Sequence, residues 1–247
     1  MQSLYSNGFE TIYDDMYQTF INYKEEFQFY SNIINTHSKH SVLEIGCGTG
    51  HLAKYFLESS IHYKGLDLSK DMISLSKKRN PQGWFQQGDM TNFKLNTKTA
   101  STIITARTTS YLLTNEAVHN ALKSIHYNLE MHGILCFDFI DANRFFPIIK
   151  NEEIMIHEAT INNKHYYRES LMKPNKRKDN FMFHWDAVYF EKLNDKAIKL
   201  TEDQSVVRAF TKNEWELFLH LNNFELIEFI DRKSYAFDTY VVVAKRI

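Results

Sequence analysis

The stretch that most constrains the fold is residues 42–50, with the sequence V-L-E-I-G-C-G-T-G. An apolar run with one acid, Glu44, ends in glycines at alternate positions, Gly46, Gly48 and Gly50, and a helical pattern follows. Glycine suits a turn whose backbone angles other residues avoid, and it lets a ligand approach the main chain closely. The pattern predicts a strand, a tight turn and a helix whose first N–H groups are offered to a ligand.

The glycine spacing differs from that of two common nucleotide-binding motifs. A dinucleotide fingerprint needs its third glycine one position later, where this chain has His51, and a phosphate-binding loop needs Gly-Lys-Ser/Thr, which is absent. The remaining pattern, acid-x-Gly-x-Gly-x-Gly, resembles the first motif of the class I S-adenosylmethionine-dependent methyltransferases. Glycine-rich strand ends also occur in many other α/β folds. The residues at the ends of the next two strands are therefore needed to distinguish this family from the others.

The second predicted strand ends in an acid. Asp67 follows Gly50 by 17 positions, close to the roughly 20 at which a nucleoside-binding unit places a carboxylate for ribose hydroxyls. A helix cap is the alternative role for Asp67, but Ser69 is the better-placed cap. The phrase L-D-L-S-x-x-M-I matches the methyltransferase pattern, and the resemblance implies that Leu68 and Met72 flank the adenine.

The third predicted strand leads to Asp89 and Met90. The resemblance implies that Asp89 accepts a hydrogen bond from the adenine amino group while the Met90 amide donates to the ring. A simple turn residue is the alternative for Asp89, because aspartate suits turns. Three consecutive strand ends with the expected groups at the expected spacing favour S-adenosylmethionine as the cofactor.

Two further strands are predicted, at Ala100–Ala106 and Ile134–Ile140, with a helix over Asn115–Met131 that ends at His132-Gly133. By the resemblance, Ala106 belongs to the cofactor-binding residues. The segment after the fourth strand, which includes Tyr111, follows a carboxyl strand end, where ligands of open α/β sheets bind. It lacks the Asn/Asp-Pro-Pro-aromatic string of enzymes that methylate DNA bases, so nothing there indicates a nucleic-acid substrate.

Residues Tyr5 to Asn35 have aromatic side chains at helical spacing, which predicts one helix with a core-facing stripe. The string Y-D-D-M-Y within it resembles the N-terminal segment that caps the cofactor in many small-molecule methyltransferases. The hypothesis is therefore that Tyr13 and Tyr17 line the cleft.

After the fifth strand, residues 151–207 show short alternating runs separated by polar turns, which predicts an inserted antiparallel sheet. The basic run Lys176–Lys178 indicates a solvated loop tip rather than a nucleic-acid patch. Thr211 and Glu214 form a capping-box pattern for the last helix, and two strands close the chain.

The predicted fold is an α/β, Rossmann-like, doubly wound seven-stranded sheet with its last strand antiparallel, plus an inserted antiparallel β lid. Residues 1–150 and 208–247 form the S-adenosylmethionine-binding domain of this prediction, and residues 151–207 form the lid over the substrate. The N-terminal segment, the insertion and the R-x-F-T entry to the last helix resemble the group containing amino-sugar N,N-dimethyltransferases.

That resemblance implies a small-molecule acceptor, with an amine nitrogen as the first choice. O-methylation, another sulfonium reaction such as cyclisation, a protein or RNA methyltransferase and a non-catalytic binding module are the alternatives. The acceptor pocket is predicted to be walled by Tyr13, Tyr111, Arg144 and His184. Alternation puts His184 on one face of its strand and Trp185 on the other, and the His184 face is assigned to the cleft because histidine accepts protons near neutral pH.

Composition limits the remaining classes. The chain has 247 residues and a formal net charge of -1, so no overall field attracts nucleic acid or an anionic membrane. Its two cysteines, Cys47 and Cys136, fit a reducing compartment, and the start lacks the features of a signal peptide. No metal-ligand spacing is visible. The expectation is a cytoplasmic protein without a membrane span, and its oligomeric state, a homodimer among others, is left open.

Overall fold

A computed structural model describes residues 9–175, 181–193, 196–233 and 238–247, with side chains from Asp14 onward. The basic run Lys176–Lys178 therefore lies outside the described residues. The chain forms a seven-stranded mixed sheet and a separate four-stranded antiparallel sheet. This confirms the predicted fold class.

The large sheet has the strand order β10-β11-β5-β4-β1-β2-β3. The first five strands pair in parallel, whereas β11 runs antiparallel to both β5 and β10. Their bounds are β1 Ser41–Ile45, β2 His62–Asp67, β3 Trp84–Gln87, β4 Thr99–Ile104, β5 Leu129–Phe139, β10 Phe224–Arg232 and β11 Thr239–Arg246. All carboxyl ends of β1 to β5 consequently meet at one edge, where the glycine turn and Asp67 lie.

Helices cover both faces of this sheet. They are α2 Tyr23–Thr36, α3 His51–Leu57, α4 Lys70–Arg79, α5 Asn115–Asn128 and α7 Lys212–Leu221, whereas α6 Ala142–Ile149 packs against the four-stranded sheet. Two buried clusters result, one against each face, of which one includes Trp215 and the other Phe56. The two predicted N-terminal caps are confirmed: Ser69 accepts from the Met72 amide, and Thr211 with Glu214 forms a capping box.

The N-terminal region differs from the prediction of one long helix. It forms α1 over Phe9–Gln18 and then α2 from Tyr23. The break has a local cause, because the Asn22 side chain accepts from the Glu25 amide at 3.3 Å and starts a new helix. Because α1 and α2 are separate helices, α1 packs at a position that the core helix α2 does not contact.

The helix before β5 is also shorter than predicted. It ends at Asn128, and β5 begins at Leu129 rather than Ile134. The Asn128 side chain bonds the main chain of Phe93 and Leu95, which fixes the helix end in the core. The His132-Gly133 pair is therefore not a helix cap but lies within the strand, where His132 has a φ of 58°.

The four-stranded sheet consists of β6 Ile154–Ile161, β7 Lys164–Pro174, β8 Met182–Leu193 and β9 Lys196–Arg208, in that order. One face of β8 packs inward through Phe183, Ala187 and Tyr189, each at most 4% exposed. Phe183 contacts Phe145 of α6, with ring centres 4.9 Å apart. This sheet is thereby anchored beside the carboxyl edge of the large sheet. Among the described residues, no helix combines the length and apolar character needed to cross a membrane.

Candidate functional site

A cavity of about 560 Å³ opens at the carboxyl edge of the large sheet. One end, here called the cofactor end, is lined by Gly46, Gly48, Asp67, Asp89 and Met90. The other end, here called the acceptor end, is lined by Phe20, Tyr111, Ile140, Arg168, Trp185 and Val207. The volume is within the range of small-molecule sites.

The glycine turn forms the floor of the cofactor end. Gly46 and Gly48 have φ angles of 75° and 52°, in the left-handed region that glycine occupies without strain. A Cβ on Gly46 would meet Thr108 at 2.7 Å, whereas a Cβ on Gly48 would enter open space. No side chain therefore covers the Gly48 main chain on its cavity side, and a ligand can contact the backbone there.

Gly50 plays a different part from its two neighbours. It has a φ of 78° and precedes the first turn of α3, and a Cβ there would lie 2.8 Å from the Asn80 side chain and 3.0 Å from Ser76. It does not line the cavity among the described residues. The structure thus gives Gly50 the role of packing α3 against α4.

The Asp67 carboxylate fixes the turn from the end of β2. Its Oδ2 accepts from the Gly48 amide at 2.8 Å, and its Oδ1 accepts from the Ser69 amide at 2.8 Å. Burial raises the pKa of Asp67, and these two hydrogen bonds oppose the rise. Since each carboxylate oxygen can accept a second hydrogen bond, Asp67 retains capacity for ligand hydroxyls.

Asp89 and Met90 lie at the cavity wall beyond β3. The Asp89 Oδ1 accepts from both the amide and the hydroxyl of Thr91, each at 2.8 Å. Asp89 is therefore both a turn residue and a lining residue of the cavity, and its hydrogen bond to adenine stays a prediction. Leu68, 69% exposed, and the buried Met72 complete this end of the cavity.

Glu44 is displaced from the large cavity. It borders a smaller one of about 90 Å³ that shares Tyr17, Gly46, Gly48 and Ala106 with it. The Tyr63 hydroxyl and, at 3.4 Å, the Thr105 hydroxyl donate to the Glu44 carboxyl. Burial raises the pKa of Glu44 to about 7, against the effect of these hydrogen bonds.

Asp14 is a residue that sequence reasoning missed. From α1 it accepts from the Thr49 hydroxyl, contacts His51 Nε2 at 2.8 Å and pairs with Arg79 at 2.6 Å. Burial would raise the pKa of Asp14, but hydrogen bonds from His51 and Thr49 and the charge of Arg79 hold it below its usual value. These contacts fasten α1 to the glycine turn. Because the partners lie 35 to 65 positions away, no local pattern could have indicated them.

The contacts of Asp14 hold α1 in place and thereby position the aromatic side chains of Tyr17 and Phe20. Tyr17 lines both cavities, and Phe20 lines the acceptor end. The Tyr17 hydroxyl accepts from Arg168 Nη1 at 3.0 Å, which ties α1 to the four-stranded sheet as well. The Tyr13 backbone belongs to α1, but its side chain lies outside the described part of the chain.

The structure corrects two residues predicted at the acceptor wall. The His184 side chain is exposed, on the outer face of β8, whereas Trp185 lines the cavity. The alternation of β8 was correct but the assigned face was wrong, because the inner face packs on α6 through Phe183. Arg144 of α6 pairs with Asp231 at 2.6 Å and stacks on Tyr240 at 3.8 Å, so it does not line the cavity.

The remaining lining residues come from distant parts of the sequence. Tyr111, 46% exposed, lines the cavity, and its contact with the methyl acceptor stays a prediction, whereas Arg168 was not anticipated. The sequence around Arg168 does not predict whether its side chain faces a cavity or solvent. Only the tertiary structure places Arg168 at the cavity wall. Within the described ranges, no three His, Cys, Asp or Glu side chains are grouped as metal ligands.

The described residues fit the cofactor that the resemblance implies. The test is chemical. No side chain covers the main chain at Gly48, and the Asp67 carboxylate keeps free acceptor capacity. The buried Met72 and the exposed Leu68 follow the second strand, and the exposed Asp89 follows the third. These groups match a nucleoside with ribose hydroxyls and an apolar ring, which are parts of S-adenosylmethionine.

Comparison with known proteins agrees with this chemistry. A family model described as a methyltransferase domain matches residues 42–133. An uncharacterized methyltransferase of Bacillus licheniformis is 30% identical over 146 residues, covering 57% of this chain and 68% of that protein. The dTDP-3-amino-3,4,6-trideoxy-alpha-D-glucopyranose N,N-dimethyltransferase of Streptomyces venezuelae is 34% identical over 95 residues, 38% of this chain and 40% of that protein. The matched stretch thus spans less than half of the dimethyltransferase.

Solved structures extend the similarity of fold to nearly the whole chain. DesVI of Streptomyces venezuelae superposes with a TM-score of 0.82 at 20% identity, covering 96% of this chain and 99% of that one. An amino pentose methyltransferase of Micromonospora echinaspora, solved with SAM bound, gives a TM-score of 0.78 at 18% identity with both chains fully covered. At such identities the comparison shows the fold.

Proposed function

Because the chain belongs to the S-adenosylmethionine-dependent methyltransferases, we propose that it transfers the methyl group of S-adenosylmethionine to an amine nitrogen of a small molecule. The observation that carries the proposal is the cavity of about 560 Å³ whose lining includes both the strand ends and a group of aromatic rings. A cavity of this size accommodates small ligands rather than a polymer surface.

In this proposal the cofactor end holds S-adenosylmethionine. Asp67 accepts from the ribose hydroxyls, the Asp89 carboxylate and the Met90 amide bind the adenine, and the main chain at Gly46 and Gly48 borders the amino-acid part. Glu44, beside the smaller cavity, is the proposed acceptor for the cofactor ammonium group. The cofactor supplies an electrophilic methyl group on its sulfonium.

The acceptor end would hold the amine. Its ring and aliphatic side chains, Phe20, Tyr111, Ile140, Trp185 and Val207, exclude water from the transfer and orient the nucleophile. Orientation of this kind contributes several kcal/mol to catalysis. A neutral amine needs only to lose a proton. No histidine lines the large cavity among the described residues, and we propose that the proton passes to solvent beside the half-exposed Tyr111.

The four-stranded sheet is the proposed lid, in the range 151–207, and the residues around it form the cofactor-binding domain. The relatives include N,N-dimethyltransferases of amino sugars, which supports nitrogen over oxygen. A protein or RNA substrate fits less well, since the formal net charge is -1 and the acceptor end is lined by rings.

The test is mass spectrometry of reactions that contain the protein, S-adenosylmethionine and panels of amines, alcohols, carboxylic acids, protein and RNA. The expected result is a mass increase of one methylene unit per transfer on a small amine. Methylation only of a hydroxyl, a carboxyl, a protein or an RNA would reject the proposal. The Asp67→Ala variant is the control for background methylation.

A further inference from the structure

Arg168 occupies the centre of the acceptor end. It lies on β7, directly opposite His157 of β6 and Tyr189 of β8. Its Nη1 donates to the Tyr17 hydroxyl at 3.0 Å, and its guanidinium carbon lies 5.8 Å from the Trp185 ring centre. The side chain is thus held in a fixed position at the cavity wall.

The partners of Arg168 are neutral. Four other arginines pair with carboxylates, as Arg144 does with Asp231 and Arg208 with Glu214. None of the ion pairs between described residues includes Arg168, and its buried Nε has no hydrogen-bond partner there. Arg168 is half-buried, with its Nε fully covered, and a cation in that position without a counter-charge is costly because the hydration it lost is not replaced by an opposite charge.

The charge of Arg168 affects the pKa values of two neighbouring side chains. Burial and then the charge of Arg168 lower the pKa of His157 across the strand pair. Burial raises the pKa of Tyr189, the charge of Asp203 contributes to that rise, and the charge of Arg168 opposes it. Asp203, an acid of the adjoining strand β9, accepts from the Ser205 hydroxyl at 3.2 Å. Arg107 and Lys70 also line the cavity, after the ends of β4 and β2, whereas Arg168 is the cation set among the rings of Phe20, Tyr111 and Trp185.

We propose that the methyl acceptor carries an anionic group, a carboxylate or a phosphate, and that Arg168 binds this group at the acceptor end of the cavity. A guanidinium presents parallel N–H donors that match both anions in shape. The amine of the same molecule then points toward the cofactor end, so Arg168 sets its orientation as well as its affinity. The inference rests on the proposed function, since it assigns the substrate class of the same site.

The experiment compares amines that differ in one anionic group. Glucosamine is paired with glucosamine 6-phosphate, and benzylamine with 4-(aminomethyl)benzoate, in methyl-transfer assays of the wild type, Arg168→Gln and Arg168→Lys. Lys164→Gln is the matched control, because it removes a positive charge from the exposed start of the same strand. Circular dichroism establishes that each variant is folded.

The expected result is a kcat/KM at least about tenfold higher for the anionic member of a pair, in the wild type and Lys164→Gln. Arg168→Gln abolishes that preference, Arg168→Lys keeps part of it, and the affinity for S-adenosylhomocysteine is unchanged in both. Equal kcat/KM values within each pair for the wild type would overturn the inference. A large loss of S-adenosylhomocysteine affinity in Arg168→Gln would overturn it too, because the anion would then be the cofactor carboxylate.

A second measurement separates this inference from the proposed function. Benzoate and inorganic phosphate are titrated into the complex of the protein with S-adenosylhomocysteine, and the thermal midpoint is followed. Anions that raise the midpoint of the wild type and Lys164→Gln, but not of Arg168→Gln, support an anion site even where no amine is methylated. No difference between the wild type and Arg168→Gln would reject the site, whatever the activity.

Discussion

The two ends of the cavity are built in different ways. The cofactor end is made of strand ends and turns within residues 44–90, held by main-chain bonds such as those from Gly48 and Ser69 to Asp67. The acceptor end collects side chains from α1, β7, β8 and the turn after β4, and side-chain contacts such as Tyr17 to Arg168 hold it together. A site made of local backbone is therefore readable from sequence, whereas a site made of distant side chains is not.

The largest expected effect concerns Glu44, which borders the smaller cavity next to the cofactor end and lowers the stability of the fold when it ionises. Burial raises the pKa of Glu44 from 4.5 to about 7, so the folded state keeps a proton that the unfolded chain has lost. The free energy of unfolding contributed by Glu44 is present below pH 4.5 and decreases as the pH rises to about 7, by about 3 kcal/mol.

In the Glu44→Gln variant this decrease is absent. Relative to the wild type, the variant should gain about 3 kcal/mol of unfolding free energy between pH 4.5 and pH 8, because the amide does not ionise. Urea unfolding at a series of pH values measures the difference. A difference between the two proteins that stays constant with pH would show that Glu44 is not buried as described.

The second effect separates the two ends directly. Asp67→Ala removes the charged acceptor for the ribose and the acceptor for the Gly48 amide, so it should weaken S-adenosylhomocysteine binding by about 1.5–3 kcal/mol, or roughly 10- to 150-fold. Equilibrium dialysis provides the dissociation constants. Glu58→Ala, at an exposed acid outside the cavity lining, is the comparison, and a loss as large in that variant would contradict a specific role for Asp67.

The third effect belongs to the acceptor end. Trp185→Ala removes a ring from the cavity wall and should lower kcat/KM for the methylated amine about tenfold, since a well-packed aromatic contact contributes on the order of 1 kcal/mol or more. His184→Ala, on the exposed face of the same strand, should leave kcat/KM within about twofold. Steady-state kinetics measure kcat/KM for both variants. A larger loss in His184→Ala than in Trp185→Ala would support the sequence prediction that the His184 face lines the cavity.

The smallest effect tests how α1 joins the two ends. Tyr17→Phe removes the hydroxyl that accepts from Arg168 Nη1, so the free energy of unfolding should decrease by about 1 kcal/mol. Tyr127→Phe, at an exposed ring, is the matched control and should change it by less than about half of that. Equal values for the two variants in urea unfolding would argue against the contact.

The limits of the sequence prediction follow the same division. The strand ends at Gly46, Asp67 and Asp89 were predictable because each role is encoded by residue type and spacing within one βαβ unit. Period-two alternation showed that His184 and Trp185 face opposite ways, but the choice of face depends on the packing of Phe183 against α6, which alternation does not contain.

The helix boundaries that were wrong have a comparable cause. The break at Asn22 was readable in principle, since an asparagine three residues before Glu25 is a helix-start signal inside an aromatic stripe. The end of α5 at Asn128 depends instead on hydrogen bonds to Phe93 and Leu95, more than thirty positions earlier. Contacts of that range leave no trace in the local sequence.

A calorimetric titration of S-adenosylhomocysteine into the wild type, Asp67→Ala and Trp185→Ala tests the central claim most directly. The two-ended cavity predicts one ligand per chain, equal affinity in the wild type and Trp185→Ala, and a roughly 10- to 150-fold loss in Asp67→Ala. The claim would be contradicted by a folded wild type that binds no ligand, or by Trp185→Ala losing as much affinity as Asp67→Ala.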